Sequence, residues 1–138
     1  MTHSHPIRLA DKADVPLIEA LLAPELARGN VLPRPMSPGN FLVGDAACAS
    51  LTPWSREVVE LGSVVSRRPG MGSLVVEAAC TEACARGFSD VVVLTSLVEW
   101  FAQRGFEPTD MVQLRQVHCA SCPLRPGCTQ VLMVRHVG

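Results

Sequence analysis

A chain of 138 residues, 48% of them hydrophobic and 18% charged, has the size of one domain around one core, and at this length folding removes roughly 68–70% of the unfolded surface from water without help from a metal or a disulfide. The net charge of −1, carried on the cationic side by eleven arginines and the single Lys12, offers no bulk attraction to nucleic acid or to an anionic membrane. No apolar run approaches the roughly 18 residues of a membrane span, and Met1 to Pro6 lacks the charged and apolar blocks of a signal peptide. A soluble cytoplasmic protein is the expectation, with residues 1–138 as one domain and 111–138 as its cysteine-containing end and last strand.

In chain order, Ile7 to Leu9 alternates like a short strand. Asp14 ahead of Val15-Pro16-Leu17-Ile18 predicts a capped helix start with proline in the first turn, with Leu17, Leu21 and Leu22 on one face. Pro24 interrupts this pattern and Gly29 suits a helix end, so the helix is predicted to break into two short pieces. Asn30 to Asn40 carries three prolines and reads as an irregular connection placed to line a binding site.

Phe41 to Val43, Ala47 to Leu51 and Val58 to Val65 predict strands, with turns at Gly44-Asp45 and Thr52-Pro53, and hence an antiparallel meander. Arg67-Arg68-Pro69-Gly70-Met71-Gly72 opens a helix that runs to about Arg86 and is closed by Gly87, and Val91 to Thr95 is a continuous apolar strand. Ser96 and Glu99 have capping-box spacing for another helix ending at Gly105, and Val131 to Val137 predicts the last strand. The sum is α+β: helices flanking one mixed central sheet.

Chemistry concentrates at Arg67 to Gly72. Glycines at 70 and 72 let backbone N–H groups approach a ligand, and the helix that follows presents its positive end, so an anion is the natural guest. An ordinary strand-to-helix turn uses the same glycines for their dihedrals. The six cysteines divide: Cys48, Cys80 and Cys84 lie among apolar residues and read as buried free thiols, whereas Cys119-x-x-Cys122 with Cys128 has metal-ligand character. Zinc wants four donors, which His3, His5, His118 or His136 would complete; free thiols, an oxidation-prone pair and an iron–sulfur cluster are the other readings.

Arg-x-x-Gly-x-Gly after a strand and at a helix start resembles the pyrophosphate loop of the GNAT acetyltransferases, and the predicted element order is also theirs. The resemblance sharpens toward the acetyltransferase domain of N-acetylglutamate synthase from Ile7 to about Thr109. It rests on Ile7-Arg8-Leu9-Ala10, on Pro24 to Gly29 with Val31-Leu32-Pro33-Arg34, on Val59-Glu60-Leu61, and on Val93-Leu94-Thr95 with Trp100-Phe101 through Arg104-Gly105-Phe106. The stretch between Arg34 and Phe41 is shorter than the resembled second helix, the hairpin at Gly44-Asp45 looks trimmed, and no amino-acid kinase domain is present, so a short stand-alone form is expected.

The resemblance implies acetyl-CoA as co-substrate, held by Leu61, Val64, Val65, Arg67, Arg68, Gly70, Met71, Gly72, Ser73, Trp100 and Phe101, and glutamate as acceptor in the first step of arginine biosynthesis, held by Arg34 and Thr95. It implies no nucleic-acid or membrane partner and is compatible with a homodimer. Glutamine or another small amine is the nearest alternative acceptor, and a CoA-binding module that senses metal or redox state through Cys119, Cys122 and Cys128 is the reading from another class. Many GNAT members place a tyrosine, as acid for the thiolate, where this chain has Phe101; the chain contains no tyrosine, so solvent is expected to return that proton. Glu60 is the candidate base, a strand carboxylate able to reach the amine through water, with Glu57 or no side-chain base as alternatives. A backbone N–H near Gly62 to Val64 is the expected oxyanion donor.

Overall fold

The structure, a computed structural model, describes residues 7–31, 36–110 and 130–138. In chain order these residues form β1 (Arg8–Leu9), α1 (Val15–Ala27), β2 (Phe41–Gly44), β3 (Ala47–Pro53), β4 (Val58–Ser66), α2 (Met71–Ala85), β5 (Asp90–Thr95), α3 (Val98–Ala102), β6 (Glu107–Pro108) and β7 (Val131–His136), with short 3-10 turns at Lys12–Asp14 and Pro38–Asn40. Among them the strands make one seven-stranded sheet in the order β1-β2-β3-β4-β5-β7-β6. Every neighbouring pair is antiparallel except β4 and β5. That parallel pair needs a crossover, which α2 supplies. The mixed sheet predicted from the sequence is present, with β6 added: two residues beside β7 carry no readable alternation.

The sheet has two covered faces. On one, Leu51, Val59, Leu61, Val91, Val93 and Met133 pack against Val75, Val76, Ala79 and Ala83 of α2 and against Phe101 and Phe106. On the other, Ile18, Leu21 and Leu22 of α1 cover Val43, Cys48 and Val65, while Trp54 closes over Val58, Val92, Leu132 and Val134. The period-2 alternation of each strand therefore sorts side chains between an α2 face and an α1 face.

Several local expectations are corrected. Helix α1 runs unbroken through Pro24. The proline sits near the C-terminal end and forfeits only the bond to the carbonyl four residues earlier, and the helix end is closed by Arg28 N–H to the Pro24 carbonyl at 3.1 Å and Asn30 N–H to the Glu25 carbonyl at 2.9 Å. Leu17 is 41% exposed; the face that packs is Ile18, Leu21 and Leu22. Strand β3 continues to Pro53, past the predicted turn, because Leu51, Thr52 and Pro53 pair with Leu61, Glu60 and Val59 of β4; β2 pairs only as far as Ser50, and on that open edge a missing N–H costs no ladder bond. Helix α3 is not capped by Ser96; instead Thr95 Oγ1 accepts the Leu97 N–H at 2.8 Å.

Asp14 is not a helix cap either. Its carboxylate takes both ends of the Arg8 guanidinium at 2.7 Å and the Asp11 N–H at 2.9 Å, while Asp11 caps the 3-10 turn. The Arg8 hydrogen bond, then the Asp11 amide, hold the Asp14 carboxyl down at about 2, against an ordinary 3.8. A carboxyl depressed in the folded state stabilises the fold fully above its unfolded value and loses that contribution as pH falls from about 4 toward about 2. Asp14→Asn is expected to lower the urea midpoint at neutral pH and to flatten its decline through this acid window. Parallel midpoint-against-pH curves for the two proteins would contradict the assignment.

Burial separates the first three cysteines. Cys48 and Cys80 are buried, but Cys84 is exposed, since it lies beyond the α2 stripe of Met71, Val75, Val76, Ala79, Cys80 and Ala83. Burial pushes Cys48 up to about 12 and Cys80 up to about 11, so both remain protonated and weakly nucleophilic. Alkylation of the native protein at neutral pH, read by peptide mass spectrometry, is expected to modify Cys84 and spare Cys48 and Cys80; labelling of all three at equal rates would contradict their placement.

Candidate active site

Between β4 and α2 the chain turns through Arg67 to Gly70. The turn is fixed by Arg67 N–H to the Ala46 carbonyl at 2.9 Å, Met71 N–H to the Arg68 carbonyl at 3.2 Å, and Ser66 Oγ–H to the Arg68 carbonyl at 2.8 Å. Gly70 is the residue before the helix and has φ +84°, in the left-handed region, and a Cβ there would meet nothing within 4 Å among the described residues. Its carbonyl accepts the Leu74 N–H at 3.3 Å. The amides of Gly72 and Ser73 have no acceptor among the described residues. These open N–H groups lie at the positive end of a 15-residue helix, a backbone arrangement suited to an anion.

The two arginines of the loop are engaged within the protein. Arg67 donates to the Leu21 carbonyl at 2.9 Å and to Glu25 at 3.3 Å, tacking the loop onto the end of α1. Arg68 pairs with Asp45 in the β2–β3 turn. Met71 is buried and lies under Gly44. These contacts hold the loop's shape.

Beside the loop the sheet opens. Strand β4 pairs with β5 only at Val58–Asp90, Val59–Val91 and Glu60–Val92, although β4 runs on to Ser66 and β5 to Thr95. From Leu61 onward the backbone edge of β4 faces a gap among the described residues. The side chains of Leu61 and Val65 are buried in the core while Val64 is half-buried, so a ligand in the gap meets Leu61 and Val65 through their backbone. On its other edge, β4 carries a bulge. Cys48 is opposite Val65 and Ser50 opposite Gly62, which leaves one extra residue in β4, and Ser63 adopts φ +48°. A bulge takes N–H groups out of the ladder and re-aims them, and Cys48 Sγ–H donates to the Ser63 carbonyl at 3.6 Å.

Glu60 sits where the pairing stops. Val59 and Leu61 point to the α2 face, so Glu60 and Gly62 point to the α1 face. Glu60 is 7% exposed, and its Oε1 accepts the indole N–H of Trp54 at 3.0 Å. Trp54 holds this position because the β3–β4 turn folds it back: its N–H reaches the Val58 carbonyl at 2.8 Å. Trp54 carries no readable site signal in the sequence beyond its six-residue spacing from a carboxylate across a hairpin turn. Glu57 lies in that turn, and its carbonyl takes the Ser89 and Asp90 amides.

On the α2 face the other predicted ligand residues gather. A Cβ at Gly72 would lie 3.5 Å from Trp100 and 3.7 Å from Ser66, so the loop is seated against the Trp100 indole. Trp100 and Phe101 meet edge-on at 4.8 Å, and Phe101 meets Phe106 at 5.4 Å. Phe101 is buried in the core. Arg104, not singled out in the sequence, stacks its guanidinium 3.6 Å from the centre of the Trp100 ring and donates to the Trp100 carbonyl at 2.7 Å. It places a cation within one side chain of Gly72. Thr95 is buried on this face, with its hydroxyl oxygen taken by Leu97 N–H.

Arg34, Cys119, Cys122 and Cys128 lie outside the described residues. Among the described residues no group of His, Cys, Asp and Glu is arranged to hold a metal ion, and no helix is long and apolar enough to cross a membrane.

No protein-family model matches the chain. An amino-acid acetyltransferase of Pasteurella multocida is 29% identical over 130 residues, which cover 83% of this chain and 30% of that protein. Among solved structures, the N-acetylglutamate synthase of Neisseria gonorrhoeae, complexed with coenzyme A and N-acetyl-glutamate, superposes with a TM-score of 0.80 at 22% identity, over 100% of this chain and 36% of that one. Rv2747 from Mycobacterium tuberculosis, in complex with CoA and NLQ, superposes at 0.78 and 19% identity, over 96% of this chain and 99% of that one. The chain thus spans about a third of the length of the two longer relatives. With the parallel β4–α2–β5 crossover, the split strand pair and the amide loop in place, the chain has the fold of the GNAT acetyltransferases.

Proposed function

We propose that this protein transfers acetyl from acetyl-CoA to the amine of a small amino acid, with glutamate as the leading acceptor, in arginine biosynthesis and in the cytoplasm. The observation that carries the reading is the gap between β4 and β5. It joins an amide-lined anion site on the α2 face to a buried carboxylate, Glu60, on the α1 face. An anionic diphosphate placed at Gly70 to Ser73 leaves an attached acyl chain one course, along the β4 edge from Leu61 to Val65. The likeness to proteins whose structures hold coenzyme A supports that placement.

In this reading Glu60 accepts, through water, the proton of the acceptor's ammonium. The freed nitrogen pair attacks the thioester carbonyl and a C–N bond forms; the nitrogen gives its second proton to solvent, the C–S bond breaks, and the CoA thiolate takes a proton from solvent, because Phe101 has none to give. The bulge amides near Ser63 meet the charge that develops on the carbonyl oxygen. Arg34 pairs with an acceptor carboxylate, since a guanidinium forks onto a carboxylate at two points. Zinc has no step here, and Cys119, Cys122 and Cys128 are left to a structural role before β7.

The test is a panel of amines offered with acetyl-CoA. Glutamate is expected to give the highest kcat/KM, with N-acetylglutamate identified as product by NMR. Preference for glutamine or another amine would replace the acceptor, and CoA binding without transfer to any amine would favour a sensing module.

A further inference from the structure

We infer that Ser50 is a second anchor for the water that carries the proton to Glu60, an inference that rests on the acetyl-transfer reading above. Ser50 lies on β3 directly opposite Gly62 of β4 and points to the α1 face, since its neighbour Leu51 is in the α2-face core. It is 5% exposed, yet its hydroxyl has no hydrogen-bond partner among the described residues. A buried hydroxyl without a partner is a cost to the fold that an apolar residue would avoid. Its position suggests what offsets that cost.

Gly62 makes a notch. A Cβ built on it would lie 3.4 Å from Ser50 Oγ and 3.7 Å from Glu60 Oε2, with no closer neighbour among the described residues. The two oxygens therefore flank one small space, and they form no direct hydrogen bond to each other. A methyl-sized opening with an oxygen on each side suits one water, which needs two or more polar partners to be held. The notch is also one residue from the bulge at Ser63 and two from the last β4–β5 pair. A water held by Ser50 Oγ and Glu60 Oε2 thus faces the gap where the amine must lose its proton. Trp54 fixes the other carboxylate oxygen, so Oε2 is the oxygen turned toward Ser50. Ser50 acts through this water, as a positioning residue, and Gly62 keeps the place open.

The experiment compares wild type, Ser50→Ala, Gly62→Ala and the double variant for kcat, both KM values and Tm. Ser50→Ala is expected to keep or raise Tm, leave the KM for acetyl-CoA unchanged and lower kcat about tenfold, the worth of one well-placed hydrogen bond. Gly62→Ala keeps the serine but fills the notch, in ordinary contact and without a left-handed φ, and is expected to lower kcat to a similar extent with the fold intact. The double variant is expected to be no worse than the poorer single one, since both remove the same water. An active wild type with unchanged kcat in Ser50→Ala overturns the inference alone, as do fully additive losses or a fall in Tm matching the fall in activity. A wild type that acetylates no amine overturns the acetyl-transfer reading and this inference with it.

Discussion

Gly70→Asp is expected to abolish the rise in Tm that acetyl-CoA gives the wild-type protein. A ligand at about a hundred times its Kd stabilises the fold by about 2.7 kcal/mol, which moves Tm by several degrees in a domain of this size. The substitution puts a carboxylate at the residue before α2, beside the amides of Gly72 and Ser73. Repulsion between two unit charges about 4 Å apart near a protein surface is on the order of 4 kcal/mol, enough to cancel the gain. Two effects must be separated, because φ +84° at Gly70 makes any side chain pay about 1–2 kcal/mol. Gly70→Ala carries the same backbone strain without the charge, and among the described residues nothing lies within 4 Å of the added methyl. The alanine variant should melt lower but keep most of the ligand shift; the aspartate variant should melt lower and lose it. A full shift in Gly70→Asp would place the CoA site elsewhere.

The second large effect is on chemistry. Glu60→Gln keeps the shape of the side chain and an oxygen for the Trp54 indole N–H, now at 3.0 Å from Glu60 Oε1, so Tm should change little. It removes the base. General-base catalysis is worth about 10²–10⁴-fold, and kcat at neutral pH should fall by about a hundredfold, with the KM for acetyl-CoA near normal. At high pH, where the amine is already deprotonated, the variant's rate should converge on that of wild type. A variant with near-normal kcat, or one whose deficit is constant across pH, would show that Glu60 is not the base.

What was legible in the sequence follows from the range of the interactions involved. The β4–α2–β5 unit could be read because local signals agree there: a valine-rich strand, glycines at a helix start, a helical apolar stripe and a second apolar strand. Features set by distant residues were not legible. Asp14 has good capping chemistry, but Arg8, brought alongside by β1, claims its carboxylate. Arg67 matches a phosphate-loop pattern, yet α1 passes close enough to take its side chain. The Ser63 bulge depends on the register between β3 and β4, which no single strand encodes. Within the candidate site, Glu60 stood out as a carboxylate in an apolar strand. Its holder Trp54 and its neighbour Ser50 became visible only once the hairpin paired Ser50 with Gly62 and Thr52 with Glu60. Arg104 was quoted within a motif, but its stacking on Trp100 depends on how α3 is seated.

The most direct test of acetyl transfer at this site follows both products of one reaction. Wild-type protein is incubated with acetyl-CoA and glutamate, and free CoA thiol and N-acetylglutamate are measured against time. The account requires the two to rise together, one for one, with both rates lost in Gly70→Asp and reduced in Glu60→Gln. Thiol release at the same rate without glutamate, or an equal rate in Gly70→Asp, would contradict it.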